Sequence, residues 1–283
     1  MDRKTFLKTG LFSLAAGSTL SASETRPSLP SVVGFNHLPP DSPEKIMDNL
    51  ILHKANTRGH ANHGWLDTHH TFSFASYYNP ERMHFGVLRV LNDDIVQGGM
   101  GFGTHPHDNM EIISLPLQGD LEHKDSMGNV QVIRQHDIQV MSAGTGIYHS
   151  EFNRNPDQAV NFLQIWVLPN KKGVSPRYDQ MSFKPEDRHN RLQQILSPDP
   201  SDDGVWIHQD AWFHLGKFEV GKEVTYQSKK SGNGVYVFVL SGKLTVNGQE
   251  LETRDGLGIP TPKTIALNMT AASEFLIMDV PLS

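Results

Sequence analysis

The sequence predicts an all-β protein made of two antiparallel jelly-roll barrels in tandem. Short strands recur at regular spacing between glycine-rich turns, with almost no helical periodicity, which is typical of β-sandwiches and barrels. The strand–turn–strand pattern of residues 114–123 recurs at 239–249, which indicates one fold used twice. Between them, the polar segment 169–200 contains five prolines and predicts the domain boundary.

Composition favours small-molecule chemistry. The 283 residues carry a formal net charge of −6, which gives no basic surface for nucleic acid or for an anionic membrane. Cysteine is absent, which excludes disulfides, thiolate nucleophiles and cysteine-ligated metal sites. Histidine and carboxylate side chains remain as the strong metal ligands.

The N-terminus predicts a signal peptide over residues 1–23. Basic Arg3 and Lys4 lie near the start, an apolar run follows at 11–20, and small residues occupy 21–23. The apolar run is too short to span a bilayer. The start also resembles a twin-arginine signal in which Lys4 replaces the second arginine. We expect export to the periplasm by this or the general secretory route; the alternative is an amphipathic helix of a cytoplasmic protein.

Residues 24–50 predict a linker that ends in a short helix. The segment is rich in proline and serine, and Ser42 followed by Pro43 is typical of a helix start. The strands that follow predict an N-terminal domain over residues 51–180 and a C-terminal domain over 181–283.

Alternating apolar residues and turn residues predict the strands in order. In the first domain they are residues 71–74, 84–92, 111–117, 121–124, 130–140 and 161–168. In the second domain they are residues 205–208, 212–220, 235–240, 243–246, 257–259 and 275–278. Four glycines between residues 98 and 103 indicate a sharp bend at a barrel rim.

Histidine spacing predicts a metal site in the first half, where twelve of the fifteen histidines lie between His37 and His149. Residues two apart on a strand point to the same face, so His105 lies beside His107, and His149 beside Glu151. Two such pairs on neighbouring strands converge on one point. Glu111 has the same parity as His105 if the strand is unbroken, so either Glu111 or Glu151 is the carboxylate ligand, and the other is a base or an orienting group.

Three imidazoles and a carboxylate suit Fe(II), Mn, Ni, Co, Cu or Zn. His60 and His63 are further candidate ligands in a loop. The alternative, which we favour, is that Arg58, His60, Asp67 and His70 hydrogen-bond the backbone of an irregular segment outside the site. The second half has no His-x-His and no His-x-Glu, so we expect its barrel to be free of metal.

Several motifs resemble a known family. His105-x-His107-x3-Glu111 and Gly146-x2-His149-x3-Asn153 are similar to the two cupin motifs, although Gly144 replaces the usual proline of the second. More narrowly, four segments resemble the pirin family of bicupins, especially its bacterial pirin-like quercetin dioxygenases. They are residues 58–66, 103–107, 141–151 and 164–169, within a resemblance that runs from about residue 52 to 282.

The resemblance implies two stacked cupin barrels with a single metal, usually iron, in the N-terminal one. It implies the ligands His105, His107, His149 and Glu151. It also offers quercetin as a substrate, which O2 opens to a depside and carbon monoxide while Glu151 or Glu111 acts as the base.

Three functions follow as hypotheses. The first is a metal-dependent dioxygenase of flavonol-like phenolics. The second is a pirin-like metal-binding regulatory protein without catalysis, which the predicted export disfavours. The third is a cupin enzyme with a different small-molecule substrate, since fold is a poor guide to substrate.

Overall fold

A computed structural model describes residues 50–283, which form an all-β unit with two short 3₁₀ turns, Ala55–Thr57 and Pro185–Arg188. The predicted signal peptide and linker, and all but the last residue of the predicted short helix, lie outside the described residues. Within residues 50–283, no helix is long and apolar enough to cross a membrane.

Twenty-two strands make up the described chain. Those up to residue 182 are β1 (Ile51–His53), β2 (Gly59–Asn62), β3 (Leu66–His70), β4 (Leu88–Val96), β5 (Gly101–His107), β6 (Glu111–Gln118), β7 (Leu121–Asp125), β8 (Val130–Ile133), β9 (Asp137–Ser142), β10 (Ile147–Asn153), β11 (Val160–Val167) and β12 (Arg177–Ser182). The others are β13 (Leu192–Ser197), β14 (Val205–Trp206), β15 (Trp212–Phe218), β16 (Glu223–Gln227), β17 (Asn233–Ser241), β18 (Lys243–Val246), β19 (Gln249–Glu252), β20 (Gly256–Ile259), β21 (Thr264–Met269) and β22 (Ser273–Pro281).

Each barrel pairs a seven-stranded sheet with a four-stranded sheet. In the first barrel the orders are β12-β9-β6-β11-β4-β3-β2 and β5-β10-β7-β8, and in the second they are β1-β20-β17-β22-β15-β13-β14 and β16-β21-β18-β19. Both barrels have the same number of strands in each sheet, which confirms the prediction of one fold used twice. The chain passes from the first barrel to the second between Ser182 and Leu192.

One domain assignment needs correction. The prediction placed residues 51–53 at the start of the first domain, but β1 pairs with β20 of the second barrel, with Leu52 opposite Leu257. A three-residue strand that pairs some two hundred residues along the chain carries no local pattern that reveals its partner. The N-terminal end of the described chain therefore completes the C-terminal barrel.

Some strand bounds also differ from the predictions. Residues 71–74 are irregular because β3 ends at His70, and Ser73 Oγ instead donates to the carbonyl of Asn79 at 2.9 Å. The strand predicted at 84–92 begins at Leu88 and continues to Val96. The proline-rich boundary segment contains both β12 and β13, in which polar side chains hide the alternation of apolar residues.

The two barrels share one apolar core between their seven-stranded sheets. Leu163 and Ile165 of β11 pack in the same cluster as Tyr236 and Phe238 of β17. Alternation then directs the neighbouring residues of each strand into the barrel interiors. In the second barrel, the residues that point inward form a single apolar cluster, which includes Val235, Val237 and Val239.

The interior of the first barrel is different. Its apolar residues form two smaller clusters, one around Phe162 and one around Ile112. Buried polar side chains also occur on its strands, including Ser114 of β6, Gln164 of β11 and His149 of β10. Buried polar groups need partners, so these side chains indicate a polar site inside the first barrel.

Candidate metal centre

Three imidazoles meet in the first barrel as the sequence predicted. His105 and His107 lie on β5, and His149 on β10 is directly opposite His105 in the strand register. The ring centroids are 4.4 Å apart for His105 and His149, and 4.9 Å apart for each of the other two pairs. One ligand nitrogen from each ring lies within 4.8 Å of the others. We call these three residues the histidine cluster.

Glu151 joins this cluster through His149. A carboxylate oxygen of Glu151 and ring nitrogens of His149 and His123 also lie within 4.8 Å of one another. The strand register shifts between His149 and Glu151, which places Glu151 opposite Phe102. Such bulges re-aim side chains next to functional sites.

Two neighbours hold the Glu151 carboxylate in place. Ser114 Oγ donates to Oε1 at 2.9 Å, and Gln164 Nε2 donates to Oε2 at 2.7 Å. Glu151 is 2% exposed, so these bonds offset much of the cost of burying its charge. The carboxylate is thereby oriented before any ion binds.

Glu111 lies apart from these groups, and the premise that it shares the face of His105 is wrong. The strand breaks after His107, with Asn109 in the left-handed region at φ 43°, and β5 and β6 belong to different sheets. Ser142 Oγ donates to Glu111 Oε2 at 2.8 Å, and the backbone N–H of His208 donates at 3.3 Å. The Glu111 carboxyl therefore links the first barrel to the second, and burial raises its pKa to about 7.

Two imidazoles of the histidine cluster, those of His107 and His149, are neutral at physiological pH. Burial, followed by the neighbouring imidazoles, lowers the pKa of His107 to about 3 and that of His149 to about 2. His105 Nδ1 donates its hydrogen to the carbonyl of Gly103 at 2.8 Å, which leaves Nε2 with its lone pair. Neutral imidazoles with free lone pairs are the form that binds metal.

The surroundings of one buried atom support the fit of this donor set to a metal ion. Nε2 of His149 is buried and has no hydrogen-bond partner among residues 50–283. Buried polar atoms in native proteins are normally paired. A divalent ion held by the three imidazoles and Glu151 would satisfy this atom, with the ligand types that suit Fe, Ni, Cu or Zn.

Behind the histidine cluster lie His123 and Asp125 of β7. His123 Nε2 donates to Asp125 Oδ2 at 3.1 Å, and both side chains are inaccessible to solvent. Asp125 also accepts from the side chain of Asn129 at 2.8 Å. His123 was not identified from the sequence. The available signal was a histidine in the middle of a predicted strand.

An aromatic wall flanks the same site. The indole of Trp166 packs edge-on against His107 with centroids 4.9 Å apart, and Phe74 packs against Trp166 at 5.3 Å. Trp166 Nε1 is buried without a hydrogen-bond partner in the described chain. The wall therefore offers flat apolar surface together with one free donor.

The polar side chains of the segment around residue 60 were expected to hydrogen-bond to the backbone, but most of their partners are other side chains. Arg58 donates to the carbonyl of Ala55 at 3.3 Å and to the Asp93 carboxylate at 3.4 Å. His70 Nδ1 lies 2.9 Å from the side-chain oxygen of Asn92. His60 and Asp67 bond each other at 3.0 Å.

Two stacked jelly-roll barrels with a histidine and carboxylate cluster inside the first define a bicupin. Residues 52–167 match the family described as pirin, and residues 194–280 match the quercetinase C-terminal cupin domain. The chain belongs to the pirin family.

This chain aligns with nearly the whole length of several known proteins. A quercetin 2,3-dioxygenase of Escherichia coli K12 is 44% identical over 232 residues, which are 82% of this chain and 99% of the relative. A pirin-like protein of Caulobacter vibrioides is 38% identical over 78% of this chain and 95% of its own. The crystal structure of a bacterial pirin from Escherichia coli in complex with nickel(II) has a TM-score of 0.79 and 42% identity, with 83% of this chain and all of that chain covered.

Proposed function

We propose that this protein is a metal-dependent dioxygenase that opens flavonols such as quercetin with O2. The observation that carries the proposal is the convergence of three imidazoles at His149, whose Nε2 is buried and unpartnered among residues 50–283, with the oriented Glu151 carboxylate beside the same histidine. The relative named quercetin 2,3-dioxygenase supports the substrate class.

We assign the ligand roles to His105, His107, His149 and Glu151. Family resemblance favours Fe(II), and the nickel complex of the similar pirin supports a divalent transition ion. The ion would supply Lewis acidity toward the flavonol oxygens and access to O2 chemistry.

The remaining side chains position and protect the substrate. Trp166 and Phe74 supply a flat apolar wall beside His107, on which a planar flavonol can stack while water is excluded. Ser114 and Gln164 keep the Glu151 carboxylate aimed at the site.

The base of the reaction takes the proton of the flavonol hydroxyl. Glu151 is our first candidate because its carboxylate lies with the histidines. Glu111 stays the second candidate, and its hydrogen bonds to Ser142 and to the backbone of His208 argue for a structural role instead.

The test is anaerobic addition of quercetin to protein loaded in turn with Fe, Mn, Ni, Co or Cu, followed by O2. We expect a shift of the quercetin absorbance on binding, then bleaching with release of carbon monoxide. His105→Ala, with its fold checked by circular dichroism, is the matched control that should do neither.

Absence of both the spectral shift and turnover with every metal would overturn the proposed substrate. If the protein then still bound metal stoichiometrically, the regulatory role or a different small-molecule substrate would replace it.

A further inference from the structure

A second group of candidate ligands lies on the edge of the first barrel, on β2 and β3. His60 and His69 are directly opposite each other in the antiparallel register, and Asp67 lies two residues before His69 on the same face. We call His60, Asp67 and His69 the surface cluster. It belongs to the seven-stranded sheet, whereas β5 and β10 of the histidine cluster belong to the four-stranded sheet.

The ligand atoms of the surface cluster converge on Asp67. His60 Nε2 lies 3.0 Å and His69 Nδ1 lies 3.6 Å from the same oxygen, Asp67 Oδ1. Donors bound tetrahedrally at about 2.1 Å from one ion are roughly 3.4 Å apart. The separations of the three atoms, all within 4.8 Å, are therefore close to those between donors on one metal ion.

The carboxylate of the surface cluster is already held in position. Asn62 Nδ2 donates to Asp67 Oδ2 at 3.0 Å, and Asn62 is itself fixed by the backbone N–H of Gly64, which donates to its side-chain oxygen at 2.8 Å. Oδ1 is thereby left to face the imidazoles. Hydrogen bonds behind a ligand increase the affinity of metal sites.

The two imidazoles are stacked, with centroids 4.4 Å apart and planes at 18°. Two protonated rings in this arrangement would repel each other, so at least one is favoured in its neutral form. Burial, followed by the charge of Arg58, lowers the pKa of His69. A neutral ring of this kind presents a lone pair to an ion.

We propose that His60, Asp67 and His69 form a second metal site for a borderline divalent ion such as Zn²⁺. The ion replaces the hydrogen between His60 Nε2 and Asp67: in a neutral His60 this hydrogen moves to Nδ1, and a protonated His60 releases one proton to solvent. The His60 side chain is 51% exposed, so the ion has direct access and water completes the coordination. This site is independent of the proposed dioxygenase function.

The experiment is equilibrium dialysis of the metal-free full chain against Zn²⁺, with bound zinc counted by mass spectrometry. We expect about two zinc ions per chain in the wild type and about one in His60→Ala or in His69→Ala. A His105→Ala/His107→Ala variant should keep the surface ion, and adding His60→Ala to it should remove zinc binding.

Two further variants sharpen the result. Asp67→Asn keeps the size of the side chain but loses its charge, and should weaken the surface ion at least tenfold. His189→Ala removes an exposed histidine of the second barrel and should leave the stoichiometry unchanged. Unchanged zinc stoichiometry in both His60→Ala and His69→Ala, or an equal loss in His189→Ala, would overturn the site.

Discussion

The Nδ1 atoms of His123 and His149 lie 3.5 Å apart inside the first barrel. Since His123 donates its Nε2 hydrogen to Asp125, a neutral His123 has Nδ1 free to accept the Nδ1 hydrogen of His149. His149 then keeps its lone pair on Nε2, the buried atom that lacks a protein partner within residues 50–283. Asp125 and His123 therefore favour the tautomer that a metal ligand needs.

Asp125→Asn tests this chain of contacts. The amide oxygen can still accept the backbone N–H groups of Met127 and Asn129, but its NH2 group faces the donor of His123. We expect the affinity for Ni²⁺ to fall roughly 10–100-fold, as is typical when a residue behind a metal ligand is changed. Titration against a competing chelator measures the Ni²⁺ affinity. The control is Asp157→Asn, a change at an exposed position. Equal affinities in the two variants would contradict the role of Asp125.

Removal of a ligand should abolish metal binding at the histidine cluster. His105→Ala or His149→Ala takes one of three converging imidazoles away, and we expect the loss of about one tightly bound transition-metal ion per chain after gel filtration. Metal content by mass spectrometry is the readout, and His189→Ala controls for histidine number. Full occupancy in both ligand variants would show that the ion binds elsewhere.

The two carboxylates should differ in their effect on turnover. Glu151→Gln removes the charge beside the histidines, and we expect kcat for flavonol opening to fall by about 10²-fold or more. Glu111→Gln should change kcat much less, because Glu111 faces the second barrel. Steady-state kinetics with the same metal compares them; a larger loss in Glu111→Gln would make Glu111 the base.

Strand periodicity predicted the parts of the site that depend only on alternation. His105 and His107 share a face of β5, and His149 meets them from β10, because two-residue spacing on a strand fixes direction. The repeated strand–turn–strand pattern likewise predicted the two barrels. Both inferences use local information, which a sequence carries.

Contacts that depend on long-range pairing were not predictable. The parity argument for Glu111 failed at Asn109, where a left-handed residue turns the chain into another sheet. Ser114 and Gln164 meet Glu151 only because β6 and β11 are neighbours, with Ser114 opposite Gln164. The choice of Glu151 over Glu111 came from family resemblance, and the structure adds a physical reason for it.

Asp93 is expected to stabilise the contact between the barrels. Its carboxylate lies 2.9 Å from Nε of Arg254 in the second barrel and 3.4 Å from Nη1 of Arg58. Asn161 Nδ2 also donates to it at 2.9 Å. Asp93→Ala leaves two guanidinium groups without their buried partner, so we expect about 3–5 kcal/mol lower free energy of unfolding.

Urea unfolding followed by tryptophan fluorescence measures this loss. Asp157→Ala, which removes an exposed carboxylate of the same barrel, should stay within about 0.5 kcal/mol of the wild type. A loss in Asp93→Ala no larger than that of Asp157→Ala would show that the ion pairs contribute little to stability.

Glu111 should make the stability of the protein depend on pH. Burial raises its folded-state pKa from 4.5 to about 7, so the folded protein keeps this proton to a higher pH than the unfolded chain does. The contribution of Glu111 to stability therefore falls as pH rises from about 4.5 to 7 and is constant above that range. Glu111→Gln stays neutral, so we expect it to match the wild type near pH 4.5 and to exceed it by up to about 3 kcal/mol at pH 8. Urea unfolding at both pH values measures this difference, and parallel pH dependences in the two proteins would show that Glu111 ionises normally.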